Sequence, residues 1–165
     1  MSDKVYNVLF LCTGNSSRSI MAEALLNHLS QGRFNAFSGG SHPIGGVNPF
    51  ALERLQKERV SAEGAHSKSW DQFAQTGAPP LDFVITVCDS AAGETCPVWP
   101  GLPIIAHWSV LDPAEVAEEE KLIAFAKAFA ILQRRISLFV NLHPESLGRL
   151  ALEKKVRDIA RETAE

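Results

Sequence analysis

Cys12 and Arg18 bracket Thr13, Gly14, Asn15, Ser16 and Ser17, and Ser19 follows directly. A thiol and a guanidinium separated by small and polar residues suit a tightly curled loop. Its backbone N–H groups turn inward around a tetrahedral oxyanion, while the arginine grips two of the oxygens. The positive end of a following helix and the guanidinium both favour a thiolate, which makes Cys12 a nucleophile at neutral pH. Ser19 could donate its hydroxyl to the sulfur, and Asn15 could hold the curl by bonding to backbone groups. Taken singly, Asn15, Ser16 and Ser17 read as ordinary loop and capping residues.

Two further cysteines, Cys88 and Cys96, enclose a small and polar segment, and Asp112 precedes Pro113. With Cys12 they can form a thiol-disulfide relay: Cys12 takes up the substrate, Cys88 attacks Cys12, and Cys96 takes over Cys88 and passes the disulfide outward. A single pair at this spacing is also compatible with a zinc site, though no second Cys or His pair completes one. Asp112 is a candidate general acid for the leaving oxygen. An isolated Asp-Pro is also an ordinary helix N-cap.

These residues need a scaffold that gathers them. Val5 to Leu11 is an apolar run of the kind found in a parallel strand buried on both faces, and Cys12 ends it. Ile20, Met21, Ala24, Leu25 and Leu29 repeat at helical spacing up to Gln31-Gly32. Phe34 to Ser38 reads as a second strand closed by Gly39-Gly40, and Asn48-Pro49 opens a helix carrying Phe50, Leu52, Leu55 and Val60. Ser69 to Phe73 suggests a helical turn, Leu81 to Val87 a third strand ending at Cys88, and Pro103 to Trp108 a fourth. The acidic run Glu115 to Glu120 is expected in the first turns of a long helix carrying Leu122, Phe125, Phe129, Leu132, Ile136 and Phe139. A last helix follows His143-Pro144 and carries Leu152, Val156 and Ile159. Alternating strands and helices predict an α/β fold: one domain over residues 1–165, a three-layer α/β/α sandwich around a four-stranded parallel sheet. In such folds ligands bind beyond the carboxyl ends of the strands, where strand order reverses. Cys12, Cys88 and Asp112 all follow strands, and pairing of the first and third would bring the two sulfurs near disulfide range.

The whole chain of 165 residues, 45% hydrophobic and 21% charged, has the profile of a globular protein. A net charge of −3 offers no general field for nucleic acid or an anionic membrane. No leader-like N-terminus or membrane-length apolar stretch is visible, and three cysteines are a poor disulfide framework, so a cytoplasmic setting is expected.

The stretch VLFLCTGNSSRSIMAE from Val8 to Glu23 resembles the low-molecular-weight protein tyrosine phosphatase family. Thr86-Val-Cys-Asp89, Thr95-Cys-Pro-Val-Trp-Pro-Gly101 and His107-Trp108 followed by Asp112-Pro113 resemble its arsenate reductase branch. The resemblance implies the flavodoxin-like topology of that family and conversion of arsenate to arsenite in arsenic detoxification. Cys12 would be the nucleophile, Arg18 the oxyanion clamp, Asp112 the acid, and Cys88 and Cys96 the resolving cysteines. It implies no bound cofactor but an external thiol reductant: thioredoxin, or glutathione with glutaredoxin. The alternative is hydrolysis of phosphotyrosine or other phosphomonoesters through a phospho-Cys12 intermediate. Ala114-Glu115 stands where such phosphatases carry aromatic residues, and Ser17 where many members have a second loop cysteine. Some members hold potassium beside the loop, and Asn15, Glu23 and Ser38 resemble its ligands. The acid expected near Ser67-Lys68 is missing, and no metal ion is expected. His107 and Trp108 receive no role.

Overall fold

The structure is a computed structural model that describes residues 4–89, 99 and 101–163. Four strands, β1 (Tyr6–Leu11), β2 (Phe34–Gly39), β3 (Phe83–Thr86) and β4 (Ile104–His107), form one parallel sheet in the order β2-β1-β3-β4. The chain steps from β1 outward to β2, then returns to the other side of β1 for β3. Strand order therefore reverses between β1 and β3. Leu11 pairs with Thr86 across that boundary, and Cys12 and Cys88 lie just past it.

The central strands are buried on both faces, which is why they read as continuous apolar runs. One face of the sheet, with Val8, Phe10, Phe83 and Ile85, packs beneath α1 (Arg18–Leu29), α2 (Pro49–Lys57), α3 (Lys121–Val140) and α4 (Arg149–Glu162). Trp108, expected only to end a strand, is completely buried in this core and donates its indole N–H to Val156 O. The opposite side chains, Leu9, Leu11 and Val84, pack with Trp70 and Phe73 of a 3-10 turn and with Trp99. β4 is an edge strand and alternates buried with exposed.

The acidic run departs from expectation. It forms two short 3-10 turns, Pro113–Glu115 and Glu118–Glu120, and the long helix begins only at Lys121. Extended backbone at Val116 and Ala117 separates the turns, which both pack against the long helix.

Candidate active site

Arg18 is the first residue of α1, so the loop from Cys12 to Ser17 occupies the turn between β1 and that helix. Its carbonyls are held from outside. Thr13 O accepts from His42 N–H, Gly14 O from Ile44 N–H and Ser67 Oγ, and Ser16 O from Asn48 N–H. With the carbonyls drawn outward, the N–H groups of Asn15, Ser16 and Ser17 are engaged by no carbonyl of the described residues. Free N–H groups gathered at a helix N-terminus suit an anion.

Asn15 makes the curl. It is completely buried with a left-handed backbone (φ 46°), a conformation asparagine tolerates better than most side chains. Its Oδ1 accepts from Lys68 N–H at 2.9 Å, and its Nδ2 donates to Ser19 Oγ at 2.9 Å. Ser19 thus keeps its own hydroxyl proton for another acceptor.

Two residues that sequence reading gave no functional part complete the support. Lys68 Nζ, nearly buried, lies 3.5 Å from Glu23 Oε1, 3.3 Å from Ser38 Oγ and 3.0 Å from His66 O. Its ammonium therefore stands beside two of the three residues that resembled potassium ligands, and its main chain holds the third. Gly40, read only as a strand end, lies so close beneath the loop that a Cβ there would sit 2.5 Å from Thr13 O and 2.7 Å from Cys12 O. The glycine pair closing β2, the strand beside the one that leads into the loop, was the available signal.

The side chains expected to do chemistry converge on one cleft of about 560 Å³, lined by the loop together with Cys88, Asp89, Ser109, Asp112 and Glu115. Arg18 Nη1 donates to Val110 O at 2.8 Å, and its Nη2 lies 3.5 Å from Asp112 Oδ2. Arg18 Nε and Ser17 Oγ are buried without a partner among the described residues, donors suited to the oxygens of a bound anion. Asp112 takes the N-cap position considered for it and also lines the cleft. Its Oδ1 caps the turn by accepting from Ala114 N–H at 2.9 Å, and its Oδ2 faces Arg18 across the cleft.

Cys12 and Cys88 are both buried, hydrogen-bond each other through their side chains and are not joined by a disulfide. Thr13 N–H donates to Cys88 Sγ at 3.4 Å, with Thr13 Oγ1 3.7 Å away. The thiol of Cys12 does not have the lowered pKa expected of it. The Cys88 contact first and burial second push it well above the usual range, against the lowering pull of Arg18 and Gly14 N–H. Two sulfurs in contact cannot both ionise readily, so the pair titrates as a unit. His107 bridges Thr86 Oγ1 at 2.6 Å and Asp89 Oδ1 at 2.8 Å, bracing the chain on either side of Cys88. Hydrogen bonds from His107 and Ser109 lower the Asp89 carboxyl. Cys96 lies outside the described residues.

An oxyanion nest with a thiol at its base, on this sheet order, defines a class. Residues 7–156 match the model of the low molecular weight phosphotyrosine protein phosphatase family, and the chain belongs to that family. Within it, the chain is 34% identical over 143 residues to an arsenate reductase of Halalkalibacterium halodurans, covering 86% of this chain and 98% of the relative. A thioredoxin-dependent arsenate reductase of Corynebacterium glutamicum is similar in structure at 27% identity and a TM-score of 0.56, over 84% of this chain and 65% of that one. An arsenate reductase solved in a phosphate-binding state shares the fold with a TM-score of 0.68 at 24% identity, over 82% and 97% of the two chains.

Proposed function

We propose that this protein reduces arsenate to arsenite, with Cys12 as the attacking sulfur, Cys88 as the resolving sulfur and an external thiol as the electron source. The contact between two thiols at an oxyanion nest carries this reading. A phosphatase with the same nest needs water behind its nucleophile, and a second sulfur there serves redox chemistry. The arsenate reductases among the chain's relatives support the same choice.

Arsenate enters the loop and takes the inward N–H groups and the guanidinium of Arg18. Cys12 passes its proton to an arsenate oxygen as its sulfur attacks arsenic, and Asp112 protonates the departing oxygen, which leaves as water. Cys88 then attacks Cys12 Sγ. The sulfur–sulfur bond forms, the sulfur–arsenic bond breaks, and its electron pair stays on arsenic, which leaves as arsenite. Two thiols have lost two protons and two electrons, and As(V) has become As(III). Cys96 takes over Cys88 in a second disulfide, and an external thiol system, either thioredoxin or glutathione with glutaredoxin, resets the relay. The reading takes residues 1–165 as one catalytic domain working in the reducing cytoplasm, with no metal ion in the chemistry.

The test is arsenite release from arsenate under each thiol system, by wild type and Cys88→Ser. Wild type is expected to turn over and Cys88→Ser to stop after the first adduct. Undiminished turnover by Cys88→Ser would remove the relay. Fast aryl phosphate hydrolysis by Cys88→Ser, Cys96→Ser, with arsenate left intact by wild type, would establish the phosphatase instead.

A further inference from the structure

Beside the catalytic cleft lies a second cavity of about 480 Å³ that none of the chemistry above uses. Its walls carry His107, Arg135, Arg157 and Arg161, and no carboxylate lines it among the described residues. In a chain of net charge −3 its three arginines are a local concentration of cations. Two of the arginines are held by groups remote in sequence. Arg135, buried, donates from Nε to Thr163 Oγ1 at 2.9 Å and from Nη1 to Ser109 O at 2.9 Å. Arg157 Nε donates to Ile105 O at 3.2 Å. The neighbouring carboxylates are Glu153 on Arg157 at 2.8 Å and Asp158, which lies 2.8 Å from Lys154 and 3.8 Å from Arg161. Asp89 meets His107 from the catalytic side.

The position of the cavity matters as much as its charge. Ser109 and Leu111 line both it and the catalytic cleft, so the two spaces meet over one rim. Asp89, directly after Cys88, lines the cleft and bonds to His107 of the cavity wall. A ligand anchored on the arginines would reach over Ser109 into the cleft that Cys88 lines. The volume falls within the roughly 300–1,000 Å³ typical of small-molecule sites, room for a tripeptide-sized molecule.

We propose that this basic cavity binds a small carboxylate-bearing thiol of the glutathione type and presents its sulfur to Cys88. The proposal rests on the arsenate-reducing role only in the origin of the disulfide. The thiolate attacks Cys88 Sγ of the oxidised relay, forming a mixed disulfide and releasing the other relay cysteine as a thiolate. A second thiolate attacks the ligand's sulfur in that mixed disulfide, releasing Cys88 and the ligand's disulfide. Two small thiols thus supply two electrons, and their carboxylates pair with the guanidinium groups in fork geometry.

Arg157→Gln, Arg161→Gln tests it, because both residues are partly exposed and leave the buried Arg135 in place. Reduced protein is treated with glutathione disulfide or with uncharged 2-hydroxyethyl disulfide, and modification of Cys88 is timed by peptide mass spectrometry. The variant should slow the glutathione reaction at least about tenfold and leave the uncharged reaction unchanged. In arsenate turnover it should raise the KM for glutathione by a similar factor and leave dithiothreitol-driven turnover as it was. Equal effects on both disulfides, or none on either, would overturn the site. Because the exchange arm contains no arsenate, failure of the arsenate reading would appear separately, as absent turnover in wild type with either thiol.

Discussion

Replacing Asp112 by asparagine should tighten oxyanion binding and cripple turnover in the same protein. Oδ1 caps the following turn through Ala114 N–H, and an asparagine oxygen can keep that bond. What the substitution removes is the charge at Oδ2, 3.5 Å from Arg18 Nη2. Two unit charges at that separation interact by about 5 kcal/mol at an effective dielectric near 20. The Asp112 side chain is 28% exposed and meets solvent in the cleft. Screening there reduces the net effect to about 1 kcal/mol. Freed from its competitor, Arg18 should hold phosphate about five- to tenfold more tightly. Loss of the proton donor should lower arsenate turnover by about 10²–10⁴. Isothermal titration with phosphate and single-turnover arsenite release measure the two quantities. Asp112→Ala supplies the contrast, since it also loses the cap and about 1 kcal/mol of stability. Unchanged turnover in Asp112→Asn, with phosphate bound no more tightly, would refute the assignment of this carboxylate to the cleft chemistry.

Cys88→Ala removes the largest influence raising the Cys12 thiol, so the pH profile of Cys12 alkylation by iodoacetamide should move to lower pH. At a fixed pH below the midpoint the rate should rise about tenfold per pH unit of that shift, and a profile that stays in place would contradict the contact. The sign also fixes a stability trend. A thiol raised by folding stabilises the protein fully below its unfolded value, near 8.5, and that contribution fades as pH climbs above it. Wild type should accordingly lose stability faster than Cys12→Ser above about pH 8.5, read by urea unfolding. Lys68→Met leaves Glu23 without its nearly buried cation and should cost about 3 kcal/mol, or roughly 6–12 °C in Tm, with part recovered in Lys68→Met, Glu23→Gln. Gly40→Ala should weaken phosphate binding by displacing the loop at Thr13 and Cys12, whereas Gly46→Ala, which meets nothing within 4 Å, should be silent.

The strands and most helices were legible because β1 and β3 are buried on both faces and the helices carry regular apolar stripes. The ends of those strands located Cys12 and Cys88, and parallel pairing of β1 with β3 made their approach predictable. What sequence could not supply was the effect of one group on another across the fold. The thiol of Cys12 was expected to ionise easily because Arg18 and a helix start are visible in the motif. The opposing contact comes from a residue 76 positions away (88 − 12 = 76) and appears only once the strands are paired. Lys68 was passed over for the same reason: its ammonium reaches Glu23 and Ser38 through three-dimensional proximity, and its main chain reaches Asn15. The acidic run reads as a helix start because charge favours one there, whereas extended backbone at Val116 and Ala117 breaks it into two short turns.

The fate of the electrons is read by a single stoichiometric experiment. Fully reduced protein, freed of added thiol, is mixed with one equivalent of arsenate, and the arsenic oxidation state and protein disulfides are determined together. The account predicts up to one arsenite per chain and one intramolecular disulfide that includes Cys88. Arsenate recovered unreduced, with Cys12 and Cys88 both still thiols, would contradict it.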